Sequence, residues 1–146
     1  MRSRGRTSAL LVAAAVATAG LLPPSPATAA YVNIDSGYAS GPSGTVSAIT
    51  QRDAYTYRSR AAADPNPNYG INVASIFLVR YTGSSRNNGT DTVVAQGLGN
   101  YTSTYRVWYT GTYRSTCGGW YTYMEYGTTA GAFNLFSSGT PYGCYV

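Results

Sequence analysis

Aromatic side chains are the main chemical resource of this chain. Trp108, Tyr109, Tyr113, Trp120, Tyr121, Tyr123 and Tyr126 crowd into one stretch, and the whole sequence carries 15 tyrosines. A tyrosine ring packs while its hydroxyl seeks a partner, so most are expected at the rim of a core with the hydroxyl in water. From Trp120 to Tyr126 the order of residues suits a strand. Tyr121, Tyr123 and Glu125 then share one face, and Trp120, Thr122, Met124 and Tyr126 share the other. The second set reads as core. The first reads as a row of rings ending in a carboxylate, with a spacing of about 6–7 Å from the two-residue repeat. That spacing suits stacking on successive units of a sugar chain. Trp108, Trp120, Tyr121, Tyr123 and Glu125 are the candidate binding residues, and an extracellular or cell-wall polysaccharide is the expected ligand class.

Catalysis is harder to assemble. The chain has no histidine, so Ser-His-Asp and Cys-His arrangements cannot form. Histidine-based zinc sites are excluded for the same reason, and 2 cysteines are too few for a cysteine-only site. Asn87, Asn88 and Asp91 lack the spacing of a calcium loop. No phosphate-binding loop or dinucleotide fingerprint occurs, so no cofactor and no metal are expected. The carboxylates are Asp35, Asp53, Asp64, Asp91 and Glu125. Glycan cleavage by two carboxylates would pair Glu125 with Asp53, Asp64 or Asp91. Nothing in the spacing brings such a pair together, so the expectation is a non-catalytic protein.

The N-terminus has the layout of an export signal. Arg2, Arg4 and Arg6 precede an apolar run from Ala9 to Leu22, shorter than the roughly 20 residues of a stable membrane span. Pro23, Pro24 and Pro26 end it, and Ala27-Thr28-Ala29 forms a small-x-small cleavage site. Residues 1–30 are read as a signal peptide and 31–146 as a single domain, with no membrane anchor left after cleavage. The arginines are not adjacent, and no cysteine marks a lipid anchor. Without them the formal charge falls from +5 to about +2, too little for a nucleic-acid footprint. In an oxidising compartment Cys117 and Cys144 are expected to form one disulfide.

The elements that position these residues read as strands. Asn33 to Gly44 reads as an irregular lead-in, and Thr45 to Ile49 as the first strand, continued by Tyr55 to Arg58. Ala61 to Gly70, with two X-Pro steps, reads as a loop. Ile71 to Arg80 is the most apolar stretch and reads as a central strand. Ser84 to Thr90 reads as a hairpin loop into Thr92 to Ala95, and Tyr101 to Tyr109 alternates well. Turn signals every 8–12 residues or so predict an all-β fold, a small antiparallel β-sandwich or barrel.

Ser75-Ile76-Phe77-Leu78, then Gly97 to Thr102 before a tyrosine-rich strand, then Cys117-Gly118-Gly119-Trp120 and the late Cys144 resemble small exported spore-associated proteins of filamentous actinomycetes. The resemblance covers about half of residues 31–146. The chain departs from those proteins in having no cysteine near the start of the domain. The resemblance implies an exported, surface-associated protein without known catalysis and transfers no functional residues. Two alternatives remain open at this level. One is a secreted inhibitor of an extracellular protein, making contact through Ala61–Gly70 or Ser84–Thr90. The other is a small glycan-cleaving enzyme.

Overall fold

A computed structural model describes residues 30–83, 86, 90–141 and 143–144. The expected signal segment lies outside them, as does most of the Ser84–Thr90 loop. The strands are β1 (Val32–Gly41), β2 (Gly44–Arg52), β3 (Thr56–Pro65), β4 (Ile71–Tyr81), β5 (Thr92–Leu98), β6 (Tyr101–Thr102), β7 (Arg106–Tyr109), β8 (Tyr113–Arg114), β9 (Gly119–Thr128) and β10 (Gly131–Phe136). One sheet runs β1-β2-β3-β7, with β8 also pairing β3. The other runs β10-β9-β4-β5, with β6 also pairing β4. All pairings are antiparallel, and the two sheets pack face to face as a sandwich. The all-β sandwich expected from the turn spacing is the fold observed.

Period-two alternation fills the space between the sheets in layers. Val46, Ala63, Ile71, Val73 and Tyr126 lie towards one end. Ala48, Ala61, Ile76, Met124 and Trp108 form the next layer, where alanines on one sheet leave room for larger side chains opposite. The third layer is polar. Thr50, Ser59, Thr122 and Ser137 are fully buried and bond one another: Ser59 Oγ to Thr122 Oγ1 at 2.7 Å, Thr122 to Thr50 at 3.0 Å and Thr50 to Ser137 at 3.3 Å. Buried hydroxyls are costly unless bonded, so this network holds the two sheets in one register. Asp35 enters beside it from β1. Burial pushes its carboxyl above the usual range, opposed by the Ser137 and Thr50 hydroxyls. Beyond the polar layer Tyr57 and Trp120 stack at 4.3 Å, with Leu78 against them.

The sandwich edges nearly meet. A Cβ on Gly37 would stand 2.1 Å from the Phe136 carbonyl oxygen, and one on Gly97 would stand 2.7 Å from that of Tyr109. Glycine at these two positions lets β1 approach the end of β10, and β5 approach β7.

Several local expectations are corrected. The Asn33–Gly44 lead-in is β1 and its turn. Its polar, glycine-rich sequence has low strand propensity, but pairing with β2 along nearly its whole length overrides that preference. Ala61 to Pro65 is the end of β3, paired with Gly44 to Ala48, so only Asn66 to Gly70 is loop. Pro65 sits at the last strand position, where its missing N–H is tolerated. The run from Thr45 to Arg58 is broken by a turn at Asp53. Its carboxylate accepts the amide N–H groups of Tyr55 (2.8 Å) and Thr56 (2.7 Å), which hold it below the usual carboxylate range. Tyr101 to Tyr109 alternates as expected but is two strands in different sheets. The chain crosses over at Ser103–Tyr105, where the Thr102 hydroxyl donates to the Thr104 carbonyl at 2.6 Å.

The cysteines form the expected Cys117–Cys144 disulfide. Beside it Gly118 and Gly143 exchange backbone hydrogen bonds of 2.9 and 3.2 Å. Arg80 donates from Nε and Nη2 to the Cys117 carbonyl at 2.8 and 2.6 Å. This end is the closed end of the sandwich.

Candidate functional site

The aromatic row on β9 divides as alternation requires, but it is not an open platform. Trp120 and Trp108 point inward and are buried in the core. The Trp108 indole N–H donates to Asn100 Oδ1 at 3.1 Å. Neither indole face can meet a ligand, which removes both tryptophans from the candidate surface. Tyr121, Tyr123 and Glu125 face outward. Even so, Tyr121 is only 4% exposed. Its hydroxyl donates to Asp91 Oδ2, the Arg86 guanidinium lies 6.0 Å from its ring centre, and Tyr81 packs beside it. Burial, and then the Asp91 carboxylate, push the Tyr121 phenol well above its ordinary range.

Tyr123 is enclosed in a different way. In-register pairing places Phe77, Tyr123 and Phe136 side by side across β4, β9 and β10. Their rings stack at 5.3 and 4.6 Å with interplanar angles of 16° and 13°. Both faces of the Tyr123 ring are therefore covered, and only its edge meets solvent. The Tyr123 hydroxyl donates to Glu125 Oε1 at 2.9 Å. A ladder of rings standing on edge cannot lay a flat face against a sugar. The expected row along β9 is thus corrected to a ladder running across the sheet.

The opposite outer face, on the sheet of β1, β2, β3 and β7, is built differently. Ser47 and Ala62 pair in register and form a floor of small side chains. Tyr38 on β1 and Tyr105, just before β7, stand on either side of it, 65% and 59% exposed. Along β3, Arg60 and Asp64 flank Ala62 on the same face, with their backbone positions about 13 Å apart. The resulting trough has a volume of about 420 Å³ and is also lined by Asn33, Thr45 and Ile49.

The trough is stiffened from both sides. Arg60 Nη2 donates to the Tyr105 hydroxyl at 3.0 Å. The Arg58 guanidinium is sandwiched between Tyr31 at 3.8 Å and Tyr109 at 4.2 Å, and its Nε donates to Gln51 Oε1 at 2.8 Å. Gln51 in turn donates to Asn33 Oδ1 at 2.8 Å. Tyr38, Arg60 and Asp64 are thus presented on strands, and Tyr105 on the crossover that leads directly into β7.

No family model, curated protein or solved structure matches this chain.

The carboxylates are dispersed. Asp35 faces the sandwich interior, Asp53 closes a turn, and Asp64 lines the trough alone. Asp91 and Glu125 each accept a tyrosine hydroxyl on the other sheet. The trough therefore holds no carboxylate pair, and neither does a second cleft between the two sheets lined by Tyr69, Tyr126 and Phe133. The trough residues were legible in one respect. Arg60, Ala62 and Asp64 alternate at period two, a strand signal hidden by the two prolines that follow.

Proposed function

We propose that the protein is exported and binds an extracellular polysaccharide, without cleaving it, in the trough across the β1-β2-β3-β7 sheet. The supporting observation is the pair of exposed tyrosine walls over a small-residue floor, lined also by Arg60 and Asp64. Exposed rings offer flat apolar faces to the C–H faces of sugars. Arg60 and Asp64 offer a donor fork and an acceptor to neighbouring hydroxyls. This reading agrees with the exported, surface-associated character that the spore-associated resemblance implies. Asp64 stands alone in the trough, which favours binding over two-carboxylate hydrolysis.

The test is retention on insoluble cellulose, chitin and peptidoglycan. Tyr38→Ala combined with Tyr105→Ala is expected to weaken retention at least tenfold, about 1.4 kcal/mol. Both side chains are mainly exposed, so stability should change by no more than about 0.5 kcal/mol per site. Tyr123→Ala should leave retention unchanged, because that ring is enclosed by its neighbours. Wild-type protein that binds none of the three polymers, or a double variant that binds as well as wild type, overturns the reading.

Export carries its own expectation. Tyr31 is held by a hydroxyl contact to Thr56 and by the Arg58 guanidinium, so it would remain packed against the domain in a mature chain that starts at Ala30 or Tyr31. Intact mass of protein recovered from culture medium should begin at Ala30 or Tyr31, two hydrogens lighter than the reduced chain. Cell-bound protein that retains Met1 would contradict export.

A further inference from the structure

The two sheets do not close at the end of the sandwich remote from the disulfide. Here the β1–β2 turn and the β9–β10 turn stand apart and leave a cleft of about 300 Å³. Val46 and Ile71, both core residues, form its floor. Tyr126 and Phe133, paired across β9 and β10, stack at 5.6 Å on one side. Tyr69 stands at the mouth, and Tyr69 and Phe133 are 43% and 42% exposed. The cleft thus reaches down to core side chains between aromatic walls.

We propose that this cleft is a binding site for an uncharged, mainly apolar small molecule of one or two rings bearing a hydroxyl or carbonyl group. The lining residues decide the class. None of them is charged, so an ionic ligand would lose its hydration with nothing to replace it. The volume lies at the lower end of small-molecule cavities, which limits the ligand to about that size. Apolar walls with a few hydroxyls are the usual composition of such sites. The hydroxyls here come from Ser40, Ser43, Thr128 and Thr129 at the rim and from the two tyrosines. No hydrogen bond engages the Tyr69 or Tyr126 hydroxyl among the described residues. Burial holds the Tyr126 phenol above its ordinary range, so it remains a neutral donor at physiological pH.

The ends of the described segments near Val32, Gly83, Thr90 and Cys144 lie away from the cleft. β4 runs from the cleft at Ile71 to Tyr81, which pairs with Gly119 at the disulfide end. Gly83, Thr90 and Cys144 follow from that far end, and β1 reaches the cleft only at its last residues. The cleft and the trough share Val46 on β2 but no other lining residue: Ile71, Tyr126 and Phe133 line the cleft, whereas Ser47, Ala62, Arg60 and Tyr105 line the trough. The proposal therefore stands independently of polysaccharide binding.

2-Naphthol is a suitable probe, with 2-naphthalenesulfonate as its charged counterpart. Titration of the mature protein should give saturable NMR shifts at the Val46, Ile71 and Ala130 methyl groups, with a Kd below about 1 mM. The sulfonate should bind at least tenfold more weakly. Phe133→Ala should weaken 2-naphthol binding at least fivefold. Ala130→Trp, on the exposed turn, should obstruct the mouth to a similar extent without touching the core. Neither substitution should change retention on polysaccharide, and Tyr38→Ala with Tyr105→Ala should leave 2-naphthol binding intact. Absence of saturable shifts, shifts centred elsewhere, equal affinity for the sulfonate, or wild-type binding by Ala130→Trp would each overturn the proposal.

Discussion

Trp120→Ala is expected to cost about 3–5 kcal/mol, enough to unfold most of the protein if its stability is in the ordinary range. The indole is 0% exposed, stacked on Tyr57 and tilted against Tyr113 at 5.9 Å. The residue also anchors the chain end: its amide N–H donates to Thr140 Oγ1 at 2.9 Å, and its carbonyl accepts the Thr140 amide at 2.8 Å. Truncation opens a cavity between two β-sheets whose strands are fixed by their ladders, so little collapse can relieve it. Trp120→Phe separates volume from polarity. The indole N–H is buried without a partner among the described residues, so its removal forfeits no hydrogen bond. The Phe variant should therefore be much the milder of the two. Urea unfolding followed by circular dichroism measures both. A loss below about 1 kcal/mol for the Ala variant would mean that Trp120 is not part of the core.

Removing the disulfide should have an effect of similar size by a different mechanism. Cys117→Ser with Cys144→Ser is expected to lower Tm by about 10–20 °C. The bridge closes a loop with a sequence separation of 27, for which chain entropy gives roughly 3–4 kcal/mol, at a few degrees per kcal/mol for a domain this size. The native contacts around the bridge survive the substitution: the paired Gly118 and Gly143 backbone, the Thr140 bonds to Trp120, and the Tyr81 hydroxyl donating to the Thr140 carbonyl. The variant should thus fold at low temperature and unfold earlier on heating. Polysaccharide retention below its melting range should be unchanged, because the trough lies on β1, β2, β3 and the approach to β7. An unchanged Tm in a calorimetric scan would show that the unfolded chain gains no freedom from the cut.

Together these substitutions distinguish the scaffold from the surface that it presents. Trp120 was grouped with Tyr121 and Tyr123 as a binding residue, yet the three occupy different environments. Trp120 lies between the sheets, Tyr121 is held against Asp91 near Arg86, and Tyr123 is one rung of a stacked ladder. Among the exposed rings, Tyr38 and Tyr105 line the trough on the other sheet, and Tyr69 and Phe133 line the cleft at the open end.

The sequence by itself determined features whose causes are local. Alternation along Trp120–Tyr126 sorted inward from outward side chains correctly, because successive strand residues point to opposite faces whatever lies beyond them. The recurring Gly and Asn turns implied many short strands, and two cysteines admitted one pairing. Tertiary structure decided which outward face is covered. Tyr123 lost its free faces to Phe77 and Phe136, which reach it only through cross-strand register. Tyr121 was enclosed with help from Arg86 and Asp91 across a hairpin. β1 became a strand because β2 offered an edge to pair with, although its own residues favour no such state. The side of the sheet a residue faces is set by its immediate neighbours, whereas the openness of that side depends on packing partners far along the chain, and local periodicity carries no information about them.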